Sequence, residues 1–193
     1  MPSMQKKMDY KKMMGWFIVI TMVLSVVGFV GTEFFASRAA AASSAEEYNG
    51  YQLSNQYGQW SIVVRGQTFT FRHSPRELEN MTIPMEIIPW LANGKIYLGY
   101  VPNDRFVVDP QIQFIGSTLV QSGIIFQQAC TIEEGCPDIP LLDCTVKEGM
   151  VLRSGDQTVM TTDNKCLVLQ AVDEVDMHKL AELVSYHILG VMR

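Results

Sequence analysis

The sequence predicts an α+β protein: a mostly antiparallel sheet packed with two longer helices and preceded by one transmembrane helix. Three observations carry this expectation. An uncharged stretch near the N-terminus is long enough to cross a bilayer. Short segments of alternating apolar residues follow, separated by Gly-containing turns. Two later stretches place apolar residues at helical spacing.

From Met13 to Thr32, 20 residues carry no charge, and Lys12 and Glu33 bracket them. At about 1.5 Å per residue such a helix covers roughly 30 Å, the thickness of a hydrocarbon core. Residues 13–35 are therefore the expected transmembrane helix, with Trp16 as an interfacial aromatic. Residues 1–12 hold Lys6, Lys7, Lys11 and Lys12 against Asp9, a balance of +3 that leaves −8 on the remainder of a chain of net charge −5. The positive-inside rule makes this tail cytoplasmic and places the C-terminal part outside the cytoplasm, on a single-pass protein of the cell membrane. A cleaved signal peptide is the competing expectation, because Ala36–Ala42 is rich in small residues. A signal h-region usually runs only about 7–15 residues, which favours a retained anchor. Thr21, Ser25, Gly28 and Thr32 share one helical face. They form either a candidate helix-packing face or an ordinary lipid-facing one.

Residues 36–47, rich in Ala and Ser, read as a linker, and an extracytoplasmic α+β domain occupies 48–193. Tyr51–Ser54, Gln59–Val64 and Thr68–Arg72 are expected strands of an antiparallel meander, with turns at Tyr57-Gly58 and Arg65-Gly66. Ser74-Pro75-Arg76-Glu77 fits a capping box opening a short helix, Pro75 to Asn80. Pro84 and Pro89 interrupt the following stretch, Asn93-Gly94 is a turn, and Lys95–Val101 is a strand. Ile112, Ile115, Leu119, Ser122 and Phe126 fall on one face, opposite Gln113 and Ser117, and predict a helix over Pro110–Gln127. A cysteine-bearing loop follows, then strands near Pro140–Val146, Met150–Arg153, Thr158–Thr161 and Cys166–Ala171. Glu174–Leu189 is the clearest helix: Met177, Leu180, Leu183, Val184, His187 and Val191 form a stripe, and Asp173, Glu174 and Asp176 suit its N-terminus.

The four cysteines are Cys130, Cys136, Cys144 and Cys166. An even number in one region of a domain outside the cytoplasm reads as two disulfides. Cys130 and Cys136 flank a short loop containing Gly135, and Cys144 and Cys166 lie on segments able to be neighbours. These are the favoured pairs. Cys-x-x-Cys knuckles are absent, which argues against a zinc site and against redox catalysis.

An acidic domain repels phosphate backbones, so no nucleic-acid partner is expected. No Gly-x-Ser-x-Gly, Gly-rich phosphate loop or His-Glu-x-x-His occurs, so no catalytic residue, metal or cofactor is assigned. Arg72, His73, Ser74 and Arg76 cluster at a helix start. They are a candidate anion-binding group, weighed against a simple cap with solvated neighbours. His187 sits within an apolar stripe, either as a base or as a satisfied core histidine, and His178 is placed on the opposite, polar face beside Glu182. Asn80-Met81-Thr82 is a glycosylation sequon. The function expected is a non-enzymatic interaction or accessory module that binds another membrane or envelope protein. The alternative is a domain that binds a small molecule or anion, or hydrolyses a substrate.

Several segments carry a resemblance: Tyr48-Asn49-Gly50-Tyr51, the stretch Phe71–Asn80, Ala129-Cys130, Asn164-Lys165-Cys166 and the closing Tyr186–Met192. They resemble small membrane-anchored proteins predicted in minimal-genome archaea. The resemblance implies the architecture and the membrane placement, and no activity.

Overall fold

The computed structural model describes residues 14–22, 44–84 and 95–192. The chain divides into two units, Met1–Ser44 and Ala45–Arg193. In the first, residues 14–22 are helical (α1). Among the described residues no helix is long and apolar enough to cross a membrane. The rest of the expected span 13–35 lies outside the described residues, as do Ser25, Gly28 and Thr32 of the small-residue face; Thr21 caps back onto the Phe17 carbonyl.

The second unit opens with a four-stranded meander: β1 (Ser44–Tyr48), β2 (Tyr51–Gln56), β3 (Gln59–Val64) and β4 (Gln67–Phe71), in that order across the sheet. Residues 44–47, read as the end of a linker, belong to β1. Its hairpins turn on Asn49-Gly50, Tyr57-Gly58 and Arg65-Gly66, and both residues of each pair have positive φ. That backbone matches the right-handed twist of paired strands and suits Gly at the second position. Register pairs Leu53 with Ile62 and Ile62 with Phe69, so one face is continuous and buried.

After the one-turn helix α2 (Pro75–Leu78), residues 85–94 lie outside the description, including the expected breaks at Pro89 and Asn93-Gly94. Then come β5 (Lys95–Tyr100), a 3-10 turn (Pro102–Asp104), α3 (Arg105–Gln121), β6 (Ile125–Cys130), β7 (Gly149–Ser154), β8 (Val159–Asp163), β9 (Cys166–Ala171) and α4 (Glu174–Ile188). The strands form a second sheet in the order β6-β5-β7-β9-β8. Here the expectation of mostly antiparallel pairing is corrected. β5 runs parallel to β6 and β7, and β7 runs parallel to β9; only β8–β9 is antiparallel. Each parallel pair has a return connection, as parallel neighbours require: α3 between β5 and β6, the same helix with β6 and residues 131–148 between β5 and β7, and β8 between β7 and β9.

Two further boundaries move. α3 begins five residues before Pro110 and ends at Gln121. Gly123, at φ +82°, breaks the helix, and Ile125–Cys130, read as its tail and the start of the loop, is the edge strand β6. Pro140–Val146 is not a strand. It touches the sheet through one parallel bridge, Leu141 to Cys130.

α3 and α4 lie between the two sheets. Ile96, Leu98, Met150, Leu152, Leu167 and Leu169 meet them from the mixed sheet, and Leu53, Ile62, Phe69 and Phe71 from the meander, in one core. Phe71 touches Phe114 of α3 edge-on and stacks on Tyr186 of α4. α4 is covered on both sides, so its middle, from Leu180 to Tyr186, is buried all the way round. The expected stripe is buried except for His187, which is half-buried. Gly116 is explained by the same packing: a Cβ there would lie 2.5 Å from the Phe126 ring.

The other face of the mixed sheet carries the cysteine loop, residues 131–148. Both expected disulfides are present, Cys130–Cys136 and Cys144–Cys166. Leu142 is pressed flat on the strands, where a Cβ at Gly99 or Gly149 would meet its Cδ2 at 2.7 or 2.9 Å. Cys130 N–H donates to the Pro140 carbonyl and Leu142 N–H to the Cys130 carbonyl, which covers part of the β6 edge.

Candidate functional site

Two arrangements of polar groups stand out, one inside the fold and one on its surface. The inner one is built where the end of β4 meets α4. Ser74 caps α2 as the sequence indicates, with its side chain accepting from Glu77 N–H and the Glu77 side chain accepting from Ser74 N–H. This capping box turns the chain sharply and points the preceding N–H groups of Arg72 and His73 at α4. There they meet the Glu182 carboxylate. Arg72 N–H donates to Oε1; His73 N–H donates to Oε2 at 3.1 Å. The His73 ring adds Nδ1 at 2.6 Å from Oε2, and His178 adds Nε2 at 3.3 Å from Oε1. Tyr186 completes the cluster by donating to the His73 carbonyl at 2.8 Å.

Glu182 is 0% exposed. Burial alone would push its carboxyl up. The contacts from His178, the Arg72 N–H and the His73 ring outweigh that and hold it below the usual value. An ionised carboxylate only accepts, so His73 carries a proton on Nδ1 and His178 one on Nε2. Burial, with the nearby carboxylates of Glu182, Glu77 and Glu46, pushes the Tyr186 phenol up.

This geometry places each member of the Arg72, His73, Ser74 and Arg76 group. The anion held at the candidate site is the chain's own Glu182. Ser74 is buried in its cap, and Arg76 pairs with Glu46 and donates to the Glu47 carbonyl. The Arg72 side chain is exposed. His178 stands beside Glu182 as expected, but its side chain is only 17% exposed, and its ring lies against Phe114 of α3. Glu182 itself was read only as a polar neighbour of His178, although the i, i+4 spacing of the two was the available signal.

His187 stands apart from this cluster. Burial lowers its pKa, and its Nδ1 has no hydrogen-bond partner among the described residues. Asn80 is exposed at the turn after α2, where the sequon is accessible.

The surface arrangement is a cleft of about 450 Å³ on the outer face of the mixed sheet, beside the Cys144–Cys166 disulfide. Val151 and Val168, paired across β7 and β9, form its floor with Leu142. Its charged lining is Asp143, Asp163 and Arg153. Each is held by a neighbour. Asp143 Oδ1 accepts from the Thr145 N–H at 2.9 Å and hydroxyl at 2.7 Å, which with nearby Lys147 lowers its pKa. Asp163 Oδ1 accepts from Asn164 at 2.9 Å. Arg153 Nε donates to Gln170 Oε1 at 3.0 Å, and Gln170 in turn donates to the Gln157 carbonyl at 3.3 Å. None of the charged cleft residues Asp143, Arg153 and Asp163 was singled out as a candidate site from the sequence. Among the described residues no group of His, Cys, Asp and Glu is arranged to hold a metal ion. The chain matches no family model, no curated protein and no solved structure.

Proposed function

We propose that this chain is a membrane-anchored extracytoplasmic module that acts by binding another envelope protein, through the disulfide-stapled face of its mixed sheet. The observation that carries the reading is the cleft beside the Cys144–Cys166 bridge. Its apolar floor and fixed charges suit recognition, and the cross-linked loop that walls it is preorganised, which lowers the ordering cost of binding. The disulfides support an oxidising compartment. The uncharged stretch from Met13 to Thr32 supports an anchor, which would confine encounters to one surface and raise effective concentration.

Two experiments test this. Protease added to intact cells should digest residues 48–193; full protection defeats the placement. Full-length protein extracted in mild detergent should co-purify with a partner that the soluble domain retains poorly. One observation favours a second reading, a hydrolytic or anion-handling domain: a partly exposed His73 whose Nδ1 is fixed on a buried carboxylate, the pairing used by general bases. If the full-length chain stays alone in detergent, and a turnover activity is found that His73→Ala abolishes, that second reading replaces the first.

A further inference from the structure

The cleft has an electrical direction along its strands. Facing positions alternate, so Gly149, Val151 and Arg153 of β7 share the outer face, and their partners across β9 are Cys166, Val168 and Gln170. Asp163 pairs with Cys166, and Cys144 beside Asp143 is bonded to that same cysteine. Both acids therefore sit at the Gly149 level. Arg153 stands four residues further along the strand, about 13 Å away at about 3.3 Å per residue. The valine floor lies midway. Lys147 and Lys165, near the acidic end, do not line the cleft: their Nζ atoms donate to the carbonyls of Leu141 and Val146. Arg153 Nε is held by Gln170, which leaves the guanidinium's terminal Nη donors for a carboxylate.

Resting on the binding-module reading, we propose that this cleft takes an extended segment of the partner protein with the pattern basic–x–apolar–x–acidic. In an extended chain residues i, i+2 and i+4 face one way and span the same distance as Gly149 to Arg153. The basic side chain meets Asp143 and Asp163, the apolar one covers Val151 and Val168, and the acidic one meets Arg153. Either chain direction satisfies the charges, so the reverse order is an equivalent ligand.

The test is titration of the full-length protein in detergent with five-residue blocked peptides, followed by calorimetry. Lys-Ser-Val-Ser-Glu, or its reverse, should bind about tenfold more tightly than Lys-Ser-Val-Ser-Lys or Glu-Ser-Val-Ser-Glu, because each control loses one exposed ion pair and sets a like charge in its place. Arg153→Glu lies on the surface and should invert the preference toward the doubly basic peptide, which also shows that the variant is folded. Equal binding of all peptides, no binding of any, or an unchanged preference in Arg153→Glu overturns the proposal. Capture of an envelope partner by the full-length chain is scored separately. If that capture persists undiminished in Arg153→Glu, the cleft assignment falls while the module reading stands.

Discussion

Removing the Glu182 carboxylate should open the junction between the meander and α4. In Glu182→Ala the N–H groups of Arg72 and His73 lose their acceptor, as do the rings of His73 and His178. A buried donor left unpaired costs about 1–3 kcal/mol, and breaking a buried charged pair costs about 3–5 kcal/mol. The His73 side chain is 26% exposed, so water can reach part of the cluster, and the lower end, about 3 kcal/mol, is expected. Glu182→Gln keeps one acceptor oxygen but turns an N–H₂ toward an N–H donor, and should fall between wild type and Glu182→Ala. Urea unfolding of the Ala45–Arg193 unit reads this directly. The pH dependence provides a second check. The folded pKa of Glu182 is depressed, so its contribution is present above the unfolded carboxyl value, about 4.3, and is lost as pH falls through the folded one. The gap between wild type and Glu182→Gln should therefore narrow below that pH. A loss under about 1 kcal/mol in Glu182→Ala, or a gap that stays constant in acid, refutes the assignment of Glu182 as an ionised hub.

Three further outcomes are expected. Breaking Cys144–Cys166, which closes a separation of 22 residues, should cost about 3 kcal/mol, against about 2 kcal/mol for Cys130–Cys136 with a separation of 6; paired Cys→Ser variants compared by urea unfolding decide the order. Gly116→Ala should destabilise by about 1–3 kcal/mol by driving a methyl into the Phe126 ring, and Phe126→Leu should recover part of the loss in a double-mutant cycle. His187 has a folded pKa lowered by burial, so its contribution holds above the unfolded value of about 6.5 and declines as pH falls; His187→Leu should flatten the stability profile below about pH 6.5.

Local chemistry was legible in the sequence. The hairpins at Tyr57-Gly58 and Arg65-Gly66 announced themselves through x-Gly pairs, the α2 cap through Ser74 and Glu77, and the core face of α4 through its 3.6-residue repeat, whereas residues 44–47 of β1 passed for linker and the Asn49-Gly50 turn went unread. Parity and spacing of the cysteines sufficed for both disulfides. The hairpins, the cap and the helix face depend on residues within about one or two turns of each other, where sequence distance and spatial distance agree; Cys144 and Cys166, 22 residues apart, were paired by elimination within one short cysteine-bearing region. Ile125–Cys130 was misread because Phe126 happened to continue the helical spacing of Ile112, Ile115 and Leu119 past Gly123.

Only the tertiary structure decided strand direction, because an apolar alternation is the same whichever way the neighbouring strand runs. It also decided which faces are inside. The polar side of α4 is not open to solvent at Glu182, which finds its donors 109 and 110 residues away at His73 and Arg72, just beyond β4. The cleft is likewise assembled from the cysteine loop, β7, β9 and the β8–β9 turn. Each of its charged residues is ordinary on its own segment, and the alignment of Asp143, Asp163 and Arg153 along one face arises only when parallel strands and a disulfide bring those segments into register.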